Sequence, residues 1–215
     1  VADAIDLPAF PAPLRTLNAP VHVQAVGDDS LVLGAAGSTD LFTDPDGSAR
    51  FANAPALVGP VEGDFTLSAR VHADLAAAYD AAVLLVYAGP DAWAKFCLEL
   101  SPQGRPTVVS VVTRGVSDDC NSVTVDPGSD SVRLRVSRLG PAYAFHLRVG
   151  QGPWDLVRYF ALAGEAEAGF SAQSPTGPGC TARFSEISYS PTRLADIRDG
   201  GLPPASARIA PERPG

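Results

Sequence analysis

The sequence predicts an all-β fold, an antiparallel β-sandwich or a closed barrel. Three observations carry this. Ten or more short runs, apolar or alternating, recur along the chain, and turn-forming residues bound each of them. No segment sustains a helical apolar period; Ala76-Ala77-Ala78 is long enough only for a turn. Glycine and proline contribute 20 residues each to a chain of 215, enough to punctuate every run. No repeat period emerges, which argues against a propeller or solenoid. With 46% hydrophobic residues, one core in one domain is sufficient.

Taken in order, residues 1–14 form an extended proline-rich lead-in, and VHVQAV and SLVLGA within 21–35 are two short strands. Residues 38–54 are polar, and Asp44-Pro45-Asp46-Gly47 is a turn; the further oxygens of a calcium loop are missing. Residues 65–73, FTLSARVHA, alternate between an apolar and a polar face. Residues 81–88, AAVLLVYA, are apolar on both faces, as expected for a strand in mid-sheet. Residues 93–99 alternate, with Ala94, Phe96 and Leu98 toward a core and Trp93, Lys95, Cys97 and Glu99 away from it. A turn at 101–106 leads to a β-branched strand over 107–112. Residues 113–122 are read as a polar loop, followed by a short strand at 123–125 and a turn at Asp126-Pro127-Gly128. Strands over 132–137, 143–149, 154–162, 168–174 and 180–190 follow. The folded domain spans 15–192, and 193–215 is a Pro-, Gly- and Arg-rich flexible tail.

The formal charge of −8 and pI near 4.7 argue against nucleic acid as a partner, which needs a basic footprint. No apolar run is long enough to span a membrane. The opening VADAIDLPAFPAP lacks a basic start followed by an apolar run, so no signal peptide is expected. Three cysteines without CxxC spacing do not form a disulfide framework, and an odd thiol favours a reducing, cytoplasmic setting. His22, His72 and His146 have no ligand spacing to each other or to the cysteines, so neither a metal nor a cofactor is expected.

The densest polar stretch is 92–122, and it contains Lys95, the only lysine in the chain. If neighbouring strands share one sheet, its non-core face gathers Trp93, Lys95, Glu99, Arg133, Arg135 and His146, with Gln173 at the edge. An indole with amides, carboxylates and cations suits a sugar, whose apolar face stacks and whose hydroxyls take hydrogen bonds. The same cations also suit an anionic ligand. A salt-bridged, solvated sheet face is the structural alternative. Glycosidase chemistry needs two carboxylates, about 5–5.5 Å apart or about 6.5–9.5 Å apart. The E-x-D-x-x-E strand signature fails at Leu67, which leaves Glu99 with Asp118 or Asp119. Adjacent carboxylates on an extended backbone point to opposite sides, so Asp118 and Asp119 do not chelate an ion alone.

The motifs WAKFCLEL, VSVVTRGVSDDCNS, RLRVSRLGPAYAFH, WDLVRYF and GFSAQSPTG, in that order, resemble the regulation-of-enolase-protein-like family of unestablished activity. That family is similar to the concanavalin A-like lectin/glucanase superfamily, and the resemblance covers about residues 15–190. It implies a jelly roll of two antiparallel sheets but no activity. The positions it implicates are Trp93, Lys95, Glu99, Thr113, Arg114, Ser117, Asp118, Asp119, Arg133, Arg135, His146, Gln173 and Ser174. Leu17-Asn18-Ala19-Pro20 departs from the family, which carries tryptophan and an acid there. The expectation is a non-catalytic, lectin-like domain for a carbohydrate or related polar metabolite. Its ligand contacts would be Trp93, Lys95, Glu99, Arg114, Asp118, Asp119, Arg133, Arg135, His146 and Gln173. The alternatives are a glycoside-active enzyme using Glu99 with Asp118 or Asp119, and a regulatory domain that binds only protein.

Overall fold

A computed structural model describes residues 4–126 and 131–204. The described residues form sixteen strands and no helix. In chain order these are β1 (Arg15–Thr16), β2 (His22–Val26), β3 (Ser30–Ala36), β4 (Leu41–Thr43), β5 (Arg50–Ala52), β6 (Ala56–Pro60), β7 (Phe65–Ala73) and β8 (Ala81–Gly89). They continue as β9 (Ala92–Leu100), β10 (Pro106–Arg114), β11 (Val116–Thr124), β12 (Val132–Leu139), β13 (Ala142–Val149), β14 (Asp155–Ala161), β15 (Glu167–Gln173) and β16 (Gly179–Ser190). Two seven-stranded antiparallel sheets pack face to face, as in a jelly-roll sandwich. Sheet A runs β1-β6-β15-β8-β9-β10-β11 and sheet B runs β14-β13-β12-β7-β16-β3-β2, while β4 and β5 form a separate hairpin.

Alternation places the core. Phe96 of β9 and Phe145 of β13 stack across the two sheets with centroids 4.7 Å apart. Leu67, Leu84, Leu134, Phe170 and Phe184 pack in the same layer. The lead-in is part of this core rather than a free arm, because Leu7, Phe10 and Leu14 bury themselves in it.

Two expectations change. Residues 113–122 are mostly strand: Gly115, at φ +79°, turns β10 back into β11, the edge of sheet A. The tail is not free over 193–204. Leu194 is buried against Leu139 and Ala144 on the outer face of sheet B. The His146 Nε2–H donates to the Ile197 carbonyl at 2.8 Å, and Arg135 donates to the Gly200 carbonyl at 2.9 Å. Residues 205–215 of the tail, and the turn expected from Asp126 into Pro127-Gly128, lie outside the described residues at 205–215 and 127–130.

Candidate functional site

The outer face of sheet A forms the floor of a cavity of about 540 Å³, and the β4–β5 hairpin forms part of its roof. Lys95 of β9, Val111 of β10 and Asp119 of β11 stand in one cross-strand row. Cys97, Val109 and Asn121 form the next, and Glu99 the one after, in register with Thr107. Gln173 ends β15 opposite Ala81. An aliphatic floor thus carries a few polar side chains, which is the usual make-up of a small-molecule site.

The hairpin is fastened at several points. The Thr43 amide donates to the Ser117 hydroxyl at 2.9 Å, and Ser117 bonds Thr113 at 2.9 Å. Arg50 reaches the Pro90 carbonyl and the Asp91 carboxylate. Asn18 donates to the carbonyls of Ala52 and Ala54. Thr113 and Ser117, two of the polar residues of 113–122, thus anchor the roof.

Inside, the Lys95 ammonium donates to Asp40 Oδ1 at 2.8 Å and Gln173 Oε1 at 2.9 Å. Burial pulls its pKa down, but Asp40 and the other acidic neighbours outweigh this, and the group is held above its ordinary value. Gln173 also donates to the Tyr79 carbonyl at 3.1 Å. Tyr79 has φ +70°, a conformation rare for an aromatic residue, and its ring is 40% exposed at the rim. The Glu99 carboxyl makes no hydrogen bond to the described residues. Burial, with Asp119 and Asp40 adding repulsion against the pull of Lys95, raises its carboxyl to about 7. Burial also raises Asp119 and pushes the Cys97 thiol well up, so Cys97 is an inert neighbour.

Of the residues expected to converge, Lys95, Glu99, Asp119 and Gln173 line this cavity. Trp93 lies on the same face but is 1% exposed, covered by Leu17, Leu41 and Ala54, and cannot stack on a ligand. Asp118 points the other way, as alternation requires, and pairs with Arg158 at 2.6 Å. Arg114, at the end of β10, donates to the Ala161 carbonyl, so these two residues tie β11 and β10 of sheet A to the edge strand β14 of sheet B. Arg133, Arg135 and His146 are on sheet B, across the core from the cavity. Arg133 pairs with Glu186. Arg135 and Arg148 lie over the Trp154 ring at 4.3 and 4.5 Å. Burial lowers Arg135 to about 10 and His146 to about 4. The expected single groove with Arg133, Arg135 and His146 therefore does not form, because β9 and β12–β13 belong to different sheets.

Asp40, Phe42, Phe51, Tyr79 and Asn121 also line the cavity and escaped the sequence reading, Asn121 falling in the stretch read as a loop. The usable signal was the pair Leu41-Phe42-Thr43 and Arg50-Phe51-Ala52, two three-residue runs flanking the DPDG turn. A second cavity of about 520 Å³ opens between β3, β7 and β16 at one end of the sandwich. Its Arg183 is held by Asp74 at 2.6 Å.

The family pattern described as protein of unknown function (DUF1349) matches residues 16–192. The chain belongs to the DUF1349 family. No curated protein sequence matches this DUF1349 chain. Among solved structures, a functionally unknown protein from Saccharomyces cerevisiae is 25% identical with a TM-score of 0.73, the match covering 82% of this chain and 95% of the yeast one. A xylan beta-1,4-xylosidase from Bacillus halodurans is 13% identical with a TM-score of 0.61, over 86% of this chain and 41% of the enzyme. An alginate lyase from Klebsiella pneumoniae is 12% identical with a TM-score of 0.52, over 78% and 83%. At the identities of these two enzymes the likeness is one of fold alone.

Proposed function

We propose that this DUF1349 domain is a lectin-like, non-catalytic module that binds a carbohydrate or related polar metabolite between the β4–β5 hairpin and the outer face of sheet A. The observation that carries the reading is Lys95. It is 2% exposed yet lines a cavity of about 540 Å³, a volume within the roughly 300–1,000 Å³ of small-molecule sites. Two of its N–H groups are committed to Asp40 and Gln173, and the third has no acceptor among the described residues. Asn121 adds an amide, and Phe42, Phe51 and Tyr79 supply the apolar faces that the buried Trp93 cannot. The likeness in fold to a xylan beta-1,4-xylosidase and an alginate lyase supports this reading.

Calorimetric titration against a panel of sugars and polar metabolites tests it. Saturable binding by the wild type, lost in Lys95→Ala with Phe51→Ala, is the expected result. A panel without a binder, or a double variant that binds like the wild type, would remove the reading.

One observation favours a second, enzymatic reading. Glu99, with its carboxyl near 7, and Asp119 face the same cavity, and a group poised near neutrality suits general acid catalysis. Asp118 has no part in it. Turnover of a chromogenic glycoside that disappears in Glu99→Gln would establish this activity.

A further inference from the structure

The charged side chains that line the cavity are unevenly balanced. Its lining holds one cation, Lys95, and three carboxylates, Asp40, Glu99 and Asp119. Asp40 already pairs with Lys95. With Arg133, Arg135 and His146 of sheet B on the far side of the core, the carboxyls left facing a ligand are Glu99 and Asp119. In register with Glu99 stand Ala81 of β8 and Thr107 of β10, the Cys97 thiol feels its charge, and the uncharged Gln173 and Asn121 line the same cavity; Arg158 also acts on Asp119. An anionic sugar or a phosphate would meet two carboxyls that have no ion-pair partner among the described residues, Glu99 half-buried and Asp119 at the exposed edge, an unfavourable juxtaposition wherever they are ionised. Among the described residues no three His, Cys, Asp or Glu side chains are grouped to hold a metal ion. The carboxylates are spread along a wall whose rim carries Phe42, Phe51 and Tyr79, a setting that suits an organic ammonium.

We propose that the cavity selects an amine-bearing sugar, whose hydroxyls meet Lys95 and Asn121, whose ring lies against the rim aromatics, and whose ammonium lies beside Glu99 and Asp119. This rests on the carbohydrate reading above and names its ligand class. The free Lys95 N–H calls for a neutral oxygen acceptor, and the carboxylates call for a cation. An amino sugar offers both on one small ring.

The test is calorimetry on the full chain with sugars of matched shape, in the gluco and galacto series. The parent hexose, the 6-amino-6-deoxy and 2-amino-2-deoxy sugars and the hexuronate are compared, with putrescine as an amine without a ring. One of the amino sugars is expected to bind at least about tenfold tighter than its parent, the scale of one charge-assisted contact, and the uronate more weakly than the parent. Affinity for the 6-amino sugar, whose ammonium persists through this range, is expected to rise from pH 5.5 to 8 as the wall ionises. In Glu99→Gln with Asp119→Asn the ratio of amino-sugar to parent-hexose affinity is expected to fall toward one, with circular dichroism showing the fold retained. If that variant does not fold, the pH dependence of the wild type decides. Equal binding of parent and amino sugars, or tighter binding of the uronate, overturns the amine assignment and leaves the carbohydrate reading standing. Binding of putrescine alone overturns both in favour of a plain amine site, and no binding by any probe overturns both outright.

Discussion

Glu99→Gln should stabilise the protein, and by an amount that depends on pH. The wild-type carboxyl is moved from an ordinary 4.5 to about 7, chiefly because burial on β9 disfavours its charge. A carboxyl that is harder to ionise folded than unfolded binds more protons in the folded state between those two values. Its contribution is therefore intact below about pH 4.5 and is lost as pH rises through 7. At about 1.36 kcal/mol per pH unit the full loss is roughly 3 kcal/mol. Glutamine keeps the shape and carries no charge. Urea unfolding at pH 5, 6, 7 and 8 should show the variant close to wild type at pH 5, with its advantage growing to about 2–3 kcal/mol by pH 8. An advantage of the same size at every pH, or none at any, would refute the burial of an ionisable Glu99 in this cavity.

Three further outcomes test other parts of the molecule. Lys95→Met should lower stability by about 3 kcal/mol, because it strands the Asp40 charge and the Gln173 oxygen, and adding Asp40→Asn should recover part of this in a double-mutant cycle measured by urea unfolding. Gly200→Ala places a Cβ 2.0 Å from Arg135 Nη2 and 2.9 Å from Trp154 Cβ at a φ of +66°; it should loosen 193–204, costing about 1–3 kcal/mol locally, seen as faster proteolysis there. A disulfide-exchange reagent should titrate Cys120 alone in the native protein, since Cys97 and Cys180 are buried and burial pushes the Cys180 thiol up to about 12; all three should react in denaturant.

Much of the chain was legible because a strand announces itself locally. Residues 65–73 were read as FTLSARVHA and form β7 (Phe65–Ala73). The opposite facing of Asp118 and Asp119 also followed from the two-residue period, and the structure separates them in this way. The edge strand β11 was taken for a loop because its exposed positions carry Asp118, Cys120 and Ser122, with no apolar alternation to reveal it.

The sequence by itself determined the fold class, the core faces of β7, β9, β12 and β13, and the side of β9 on which Lys95 and Glu99 stand. Those properties depend on alternation and turn chemistry within a few residues. Only the tertiary structure decided which polar faces meet. Strand alternation says that Arg135 and His146 turn away from the core, but not that they do so from sheet B while Lys95 does so from sheet A. It says that Trp93 faces outward, but not that the β4–β5 hairpin folds over it. Both answers depend on pairings between residues far apart in the chain, such as Thr43 with Ser117 and Lys95 with Asp40. Those pairings enclose the cavity and leave the Glu99 and Asp119 carboxyls facing it.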